Sequence, residues 1–322
     1  MTFLRMGLIG LGSMGRHHAR LIRQTDGMDL VALADPGGDP FGVAEGLEIQ
    51  KDVDGLIKQG IEAAVVAVPT VFHEEVALKL AEAGVHALVE KPIAPTIEAG
   101  ERIAQAFEDK GLVGAVGYVE RCNAAIVEMR RRIQAGQLGR IYQISTSRQS
   151  PFPARIADVG VVHDLATHDL DLTAWLAGST YERVRAEVSY KAGREHEDMV
   201  VASGKLANGT VVSHVVNWLA PFKERKTTVI GERGAFVADT ALGDLTYYAN
   251  ATVETEWDSM AAFRGPSEGD VTRYAFAKRE PLAVEHENFL RAIRDGESEI
   301  VTMHDGVQTL KVIDQLLTSV EL

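Results

Sequence analysis

Short apolar runs alternate with longer amphipathic segments along the first 118 residues. Each run is rich in Val, Leu or Ala, which is typical of parallel strands covered on both faces. The predicted strands are residues 3–9, 30–34, 63–68, 87–89 and 112–116. The predicted helices between them are residues 13–24, 53–58, 71–83 and 96–109. This alternation predicts a parallel sheet with right-handed helical crossovers.

The pattern changes near residue 120. A helix, a strand, a proline-containing loop and a second helix come first, and runs with a period near two follow. These elements are predicted at residues 124–135, 141–146, 150–155, 164–176, 184–190, 198–206, 210–218, 226–230 and 245–248. Asn208-Gly209 lies between two of the runs and predicts a hairpin. Two helices, 282–294 and 306–317, end the pattern.

The chain of 322 residues is long enough for two domains at roughly 150 residues each. We expect an α/β domain at residues 1–119 and, at residues 120–322, an α+β C-terminal domain with a large, mostly antiparallel sheet. A net charge of −13 argues against nucleic acid and anionic membranes as partners. The single cysteine, Cys122, excludes an internal disulfide. With no transmembrane run and no signal peptide in the pattern, we expect a soluble cytoplasmic protein.

A glycine-rich turn follows the first predicted strand directly and begins the first predicted helix. Its residues are Gly10, Leu11, Gly12, Ser13, Met14 and Gly15, which fit the G-x-G-x-x-G pattern. In that context Gly10 permits a tight turn, Gly12 lets a pyrophosphate approach the backbone, and Gly15 lets the helix pack on the strand. The helix N-terminus then attracts the phosphates. The motif predicts a dinucleotide site.

Asp35 follows the second predicted strand, 20 residues after Gly15. A carboxylate at this position accepts hydrogen bonds from the adenosine ribose hydroxyls and repels the 2′-phosphate of NADP. The next residues, Pro36-Gly37-Gly38-Asp39, contain no Arg or Lys to hold that phosphate. We therefore expect NAD rather than NADP as the cofactor.

Further motifs follow in a fixed order along the chain. They are Pro69-Thr70-Val71-Phe72-His73, Glu90-Lys91-Pro92, Gly117-Tyr118-Val119-Glu120-Arg121 and Asp164-Leu165-Ala166-Thr167-His168-Asp169-Leu170-Asp171. Together with the glycine-rich turn they resemble the glucose–fructose oxidoreductase/inositol dehydrogenase (Gfo/Idh/MocA) family. The resemblance implies a Rossmann domain, a second domain with a large sheet, a nicotinamide cofactor and oxidation or reduction of a sugar or cyclitol. It also implies a homodimer or homotetramer built on the open face of the sheet.

A narrower resemblance concerns one branch of that family, the UDP-N-acetylglucosamine 3-dehydrogenases. It rests on residues 150–156 and 158–162, on Asn217–Lys223, and on Arg279-Glu280-Pro281-Leu282. Two positions depart from that branch. The chain has Arg121-Cys122-Asn123-Ala124 where the branch has Arg-Phe-Asn-Pro, and His163 where an aliphatic residue is common.

Oxidation of a secondary alcohol by NAD requires a base within hydrogen-bond distance of the hydroxyl. We predict His168 as that base. Asp164 precedes it by four residues, so one helix face carries both side chains, and the carboxylate can orient the imidazole. Lys91 ends a strand at the carboxyl edge of the sheet and can stabilise alkoxide charge. The sequence leaves open whether Lys91 or His168 takes the proton, and whether the helix face instead meets water.

The resemblance assigns Pro69, Thr70, His73 and Glu90 to the cofactor site, with Glu90 on the ribose. For His73 a role in helix capping or in the core is an equal alternative. Pro92 permits a cis peptide bond after Lys91, and the sequence does not decide the isomer. The other histidines lack metal-ligand spacing, so we expect no metal.

Positive residues surround the predicted catalytic helix in the sequence. Arg148 and Arg155 flank the proline-containing loop, and Lys223 follows in the second domain. A substrate diphosphate needs such cations, although ordinary solvent-facing charges explain them equally well. We therefore place Arg148, Arg155 and Lys223 at the substrate, and the resemblance adds Tyr118.

Three functions remain in competition. The leading one is oxidation of the 3-hydroxyl of UDP-N-acetylglucosamine. The second is oxidation of a free sugar or inositol on the same fold. The third is a noncatalytic NAD-sensing regulator, against which the presence of Lys91, Asp164 and His168 argues.

Overall fold

The computed structural model describes residues 3–153, 159–251, 268–296 and 299–320. The chain forms two compact units. The first comprises Met1–Cys122 and Glu280–Lys311, and the second comprises Asn123–Arg279 and Val312–Leu322. This division differs from the single predicted break after residue 119, because a late segment returns to the first unit.

The first unit contains a six-stranded parallel sheet in the order β3-β2-β1-β4-β5-β6. The strands are β1 (Leu4–Ile9), β2 (Met28–Ala34), β3 (Ile49–Gln50), β4 (Ala63–Val66), β5 (His86–Val89) and β6 (Gly114–Val116). The helices between them are α1 (Gly15–Gln24), α2 (Val53–Ile57), α3 (His73–Glu82) and α4 (Ile97–Asp109). This order confirms the predicted α/β arrangement.

Local sequence explains these elements. All four residues of β4 are buried, as expected for a central strand covered on both faces. Helix α1 buries Gly15, His18, Ala19 and Ile22, which recur at helical spacing. Thr96 caps α4, because its side chain accepts a hydrogen bond from the Ala99 amide.

The late segment adds α7 (Pro281–Asp295) and the start of α8 (Met303–Thr318) to the first unit. Phe289 and Leu290 of α7 join the core cluster that contains Leu8 and Leu33. Met303 of α8 joins the other core cluster of this unit, which contains Val66 and Val89. The helical pattern predicted both helices, but it carries no information about which distant strands they cover.

The second unit contains an eight-stranded sheet in the order β14-β13-β12-β11-β7-β10-β9-β8. Its strands are β7 (Ile141–Pro151), β8 (Tyr181–Ser189), β9 (Met199–Leu206), β10 (Val211–Asn217), β11 (Leu219–Gly231), β12 (Gly234–Asp239), β13 (Asp244–Asn250) and β14 (Glu268–Tyr274). Strands β7 and β10 pair in parallel, and all other neighbours are antiparallel. The helices α5 (Ala124–Gln134) and α6 (Thr167–Ala177) belong to this unit.

The sheet confirms the predicted α+β unit and corrects it in detail. Asn208 and Gly209 do connect β9 to β10, and Gly209 has a φ of +91°. Strands β3, β12 and β14 were not predicted, and β11 begins seven residues before its predicted start. Its charged first half hid the period of two, and the register shifts between Leu219 and Glu224 around Pro221.

None of the helices in the described part of the chain is long and apolar enough to cross a lipid bilayer.

Candidate functional site

The glycine-rich turn has the geometry that a bound pyrophosphate requires. Gly10 has a φ of +92°, and a Cβ on it would lie 2.4 Å from the Ala67 carbonyl oxygen. A Cβ on Gly15 would lie 2.0 Å from the Gly10 oxygen, so the packing of α1 on β1 demands glycine there. A Cβ on Gly12 meets nothing within 4 Å. Gly10 and Gly15 therefore serve the fold, whereas Gly12 keeps a space that a side chain would fill.

The N-terminus of α1 faces this turn without a side-chain cap. Met14 occupies the N-cap position and makes no capping hydrogen bond through its side chain, and the first turn of α1 has no acidic residue. The main-chain amides of the turn and the positive end of the helix dipole thus remain suited to an anion. The residues present, Gly12, Ser13 and Met14, fit the phosphates of a dinucleotide.

Asp35 is held beside the same turn. Its Oδ2 accepts a hydrogen bond of 2.7 Å from the Leu11 amide, and its Oδ1 accepts one of 2.7 Å from the Gly37 amide. A carboxylate has about four lone-pair positions, so each oxygen retains one for a ribose hydroxyl. The structure therefore brings the predicted ribose acceptor and the predicted phosphate loop together.

His73, predicted at the cofactor, is buried at the start of α3. Its Nδ1 lies 2.9 Å from the Pro92 carbonyl oxygen and its Nε2 lies 3.0 Å from that of Val68. Burial lowers the pKa of His73, although the two carbonyls oppose this effect. Both ring nitrogens lie against backbone carbonyl oxygens, and a neutral imidazole has one N–H, so it donates to one of the two. This burial against the backbone favours the core alternative for His73. Pro69 and Thr70, just before it, are exposed and half-buried.

Glu90 and Lys91 follow β5 at the carboxyl edge of the sheet. Glu90 Oε2 accepts a hydrogen bond of 3.1 Å from the Lys91 amide, and Oε1 lies 2.9 Å from His18 Nε2. Burial opposes the charge of Glu90, but the hydrogen bond from His18, the charge of Lys91 and the hydrogen bond from the Lys91 amide outweigh it and hold the pKa of Glu90 below its usual range. Lys91 is half-buried, and the Lys91–Pro92 peptide bond is cis.

Tyr118 does not line a surface. Its side chain is 1% exposed and belongs to the hydrophobic core of the first unit. An aromatic ring contributes a large apolar area to such a core, and the contact of Tyr118 with substrate stays a prediction.

The second unit holds Asp164 and His168 where a π-helical segment, Val162–Ala166, joins α6. Each side chain is 9% exposed. The prediction placed them on one continuous α-helix, whereas the structure contains this π-turn, a feature that recurs at functional sites. A buried carboxylate and a buried imidazole near each other in the chain are the groups that proton removal needs.

Glu197 positions the beginning of this segment, and the sequence analysis did not identify it. The Val162 amide donates a hydrogen bond of 3.0 Å to Glu197 Oε1, and the Val161 amide donates one of 3.0 Å to the Glu197 carbonyl oxygen. A Cβ on Gly160 would lie 2.0 Å from the Glu197 carboxyl group, so a larger residue there would displace this carboxylate from its bond to Val162. Thirty-five residues separate Glu197 from Val162, and no local pattern links the two.

Arg148, predicted to bind a diphosphate, is buried in an ion pair. Its side chain is 5% exposed, its Nε donates to Asp169 Oδ2 at 2.9 Å, and its Nη2 donates to Asp169 Oδ1 at 3.2 Å. This fork neutralises the guanidinium within the protein. Arg148 therefore secures α6 to β7, and its contact with substrate stays a prediction.

The other predicted cations differ from Arg148. Lys223 is exposed on β11. Arg155 lies outside the described residues. Among the described residues, no group of three or more His, Cys, Asp or Glu side chains is arranged to hold a metal ion.

Comparisons with known proteins agree with this geometry. Residues 4–118 match the model of an oxidoreductase family with an NAD-binding Rossmann fold, and residues 126–237 match the GFO/IDH/MocA C-terminal domain. The first of these domains is an NAD-binding domain, as the glycine-rich turn and Asp35 predicted.

Individual relatives cover almost the whole chain. The UDP-N-acetylglucosamine 3-dehydrogenase of Acidithiobacillus ferrooxidans is 31% identical over 91% of this chain and 90% of its own length. The scyllo-inositol 2-dehydrogenase (NAD(+)) of Bacillus subtilis is 25% identical over 96% of this chain and 92% of its own. A solved structure of the Acidithiobacillus enzyme superimposes with a TM-score of 0.86, at 28% identity, over 100% of this chain and 99% of that one. The chain belongs to the Gfo/Idh/MocA family of oxidoreductases.

Proposed function

We propose that the protein is an NAD-dependent dehydrogenase that oxidises the 3-hydroxyl of UDP-N-acetylglucosamine to a ketone. The observation that carries this proposal is the presence, on one chain, of an NAD-binding domain and of buried Asp164 and His168 at the start of α6. The relative named for that activity matches both halves of the chain, which supports the choice of substrate.

The roles of the catalytic side chains follow from the chemistry of alcohol oxidation. NAD held by the first unit would supply the hydride acceptor. His168 removes the hydroxyl proton, and Asp164 orients the imidazole and stabilises its charged form. Lys91 donates a hydrogen bond to the reacting oxygen and stabilises the negative charge that develops on it.

The cofactor contacts come from the first unit. Gly12, Ser13 and Met14 hold the pyrophosphate at the N-terminus of α1, and Asp35 binds the adenosine ribose. Pro69 and Thr70, after β4, and Glu90, after β5, contact the nicotinamide half. His73 supports this region from between the Val68 and Pro92 carbonyl oxygens, one of which accepts its ring N–H.

The nucleotide diphosphate requires positive side chains on the substrate side. We assign Arg155 and exposed Lys223 to it, because the charge of Arg148 is already matched by Asp169. A charged contact made equally in the ground and transition states lowers KM and leaves kcat unchanged.

A second candidate function is oxidation of a free sugar or inositol. The similarity to the Bacillus scyllo-inositol dehydrogenase favours it, and so does the loss of Arg148 from the set of free cations. A neutral polyol needs fewer positive partners than a diphosphate does.

We also propose that the protein assembles as a homodimer or homotetramer through the outer face of the second sheet. Val201 and Val215 are paired neighbours on that face, and both are exposed. Val211 on the same strand and Ile230 on β11 are exposed as well. Apolar side chains gathered on one exposed face are typical of an interface. Sedimentation velocity tests this assembly, and Val201→Lys/Val215→Lys should shift it towards monomer.

The proposed activity is tested by following NAD reduction with UDP-N-acetylglucosamine, other UDP-sugars, free sugars and inositols. Fastest turnover with the UDP-linked N-acetylhexosamine supports the proposal. Turnover confined to free sugars or inositols supports the second candidate instead.

A further inference from the structure

A chain of buried titratable side chains connects α7 to the cofactor edge of the first sheet. His286 Nε2 of α7 lies 2.9 Å from His18 Nδ1 of α1, and His18 Nε2 lies 2.9 Å from Glu90 Oε1 after β5. Both histidines are 0% exposed. Three elements that are far apart in the sequence thus converge on the carboxylate that immediately precedes Lys91.

The positions of the hydrogen atoms determine which group donates and which accepts in the series His286–His18–Glu90. An ionised carboxylate only accepts hydrogen bonds, so the hydrogen between Glu90 and His18 resides on His18 Nε2. If His18 Nδ1 also donated, His286 would have to carry its own hydrogen on Nδ1. That atom is buried and has no hydrogen-bond partner among the described residues. A buried N–H without a partner costs more than a lone pair without one, so His286 Nε2 donates to His18 and His18 donates to Glu90.

The other charged groups around Glu90 agree with this arrangement. Burial, with the charge of Glu90 added, raises the pKa of Glu285 well above its ordinary value, which favours the neutral carboxyl group. Burial lowers the pKa of His286 well below its ordinary value, which favours the neutral imidazole. In the described part of the chain, the titratable groups that interact with Glu90 include His18, Lys91, His73 and Glu285, and His286 lies one hydrogen bond further away, on His18.

We propose that His18 and His286 are positioning residues of the cofactor site, which together keep Glu90 ionised and aimed for its contact with the cofactor. His286 fixes the tautomer of His18, and His18 holds one oxygen of Glu90 while the Lys91 amide holds the other. The inference rests on the proposed contact between Glu90 and the cofactor. Through His286, helix α7 then contributes to NAD binding in addition to its packing on the core of the first unit.

Three variants of the full-length protein separate this role from simple packing. His18→Leu removes the donor to Glu90, whereas His18→Gln retains an amide N–H near the position of Nε2. His286→Leu removes the group that sets the tautomer. His86→Leu is the matched control, because His86 begins the same strand β5 and accepts a hydrogen bond from the Val113 amide. The readout is the Kd for NADH between about pH 6 and about pH 8, measured by fluorescence titration, with Tm recorded for every variant.

The wild type should bind NADH with a Kd that changes less than about twofold over this range, because Glu90 stays ionised throughout. In His18→Leu the titration of Glu90 moves upward, and the Kd should be about tenfold weaker at the lower pH than at the higher, the usual worth of a charge-assisted hydrogen bond. His286→Leu should show the same trend with a smaller amplitude. His18→Gln should restore the flat profile, and His86→Leu should keep it.

Combination with Glu90→Gln completes the test. His18→Leu/Glu90→Gln should bind NADH as Glu90→Gln alone does, with no pH dependence, because both changes act on one carboxylate. A flat profile in His18→Leu, the same defect in His18→Gln, or a pH-dependent loss in His86→Leu would each overturn the proposal. None of these measurements uses a sugar, so failure of the proposed substrate would leave this result intact.

Discussion

Asp35 performs two tasks with one side chain. Its oxygens accept hydrogen bonds from the Leu11 and Gly37 amides and so shape the glycine-rich turn. We expect its charge to repel the 2′-phosphate of NADP. Asp35→Asn preserves one amide acceptor while removing the charge. This variant therefore separates the effect of the Asp35 charge from its hydrogen bonds to the turn.

We predict that Asp35→Asn narrows the preference for NAD over NADP by at least about tenfold, because a like-charge contact costs several kcal/mol. The Kd values for both cofactors measure this. Asp39→Asn is the matched control, since Asp39 lies in the same loop and accepts the Val43 and Ala44 amides. A wild-type protein that binds NADP more tightly than NAD would contradict the role of Asp35.

His168 is the residue on which the proposed chemistry depends most. His168→Ala should lower kcat by about two to four powers of ten, the usual effect of removing a positioned base. The Kd for NAD should stay within about twofold of the wild type. The exposed His304→Ala serves as the control and should leave both quantities unchanged. Near-normal kcat in His168→Ala would remove the residue from the mechanism.

At the scale of elements, helix α6 is held by polar contacts as much as by apolar packing. Arg148 of β7 pairs with Asp169, one residue after His168. Glu197 holds the amide of Val162, where the π-helical segment begins. These contacts fix the helix that presents His168, so changes in them act on the site through position.

Arg148→Met should destabilise the protein by about 3–5 kcal/mol, because it leaves the buried charge of Asp169 without its partner. Urea unfolding measures the loss. The matched control is Arg183→Met, whose exposed pair with Glu182 is worth less than about 1 kcal/mol. Unchanged stability together with a raised KM for a nucleotide sugar would contradict this structural role and would indicate that Arg148 binds the substrate.

A second polar chain connects α6 to the sheet. Thr173 of α6 bonds to Tyr181 of β8 at 2.6 Å, and the Tyr181 hydroxyl lies 2.9 Å from His214 Nε2 on β10. His214 Nδ1 lies 2.8 Å from the Thr146 hydroxyl on β7. Burial lowers the pKa of His214 to about 4, so the imidazole is neutral in the folded protein.

This depression makes stability pH-dependent. The unfolded chain takes up a proton at His214 below about pH 6.5, whereas the folded protein resists it until about pH 4. Stability is therefore full above about pH 6.5 and falls as the pH drops, by about 2 kcal/mol at pH 5 from this residue. Urea unfolding of the wild type and His214→Gln at pH 7 and pH 5 tests the prediction. An equal loss in both proteins would contradict it.

For the whole molecule, the sequence predicted what is encoded locally. The period of the apolar pattern predicted most strands and helices, and the glycine-rich turn with Asp35 predicted the NAD-binding domain that the family model matches. It did not predict that Arg148 meets Asp169, that Tyr118 enters the core, or that His286 reaches His18. Each of these depends on long-range packing, and a charged or aromatic side chain has the same sequence signature at a site and in an interior.

The comparison of UDP-N-acetylglucosamine with free N-acetylglucosamine and scyllo-inositol tests the central claim most directly. The three substrates share secondary hydroxyls, but only the first carries a nucleotide diphosphate. We predict the highest kcat/KM for UDP-N-acetylglucosamine with NAD, a 3-keto product identified by NMR, and a raised KM with little change in kcat in Lys223→Ala. A higher kcat/KM for scyllo-inositol or free N-acetylglucosamine, unaffected by Lys223→Ala, would contradict the account.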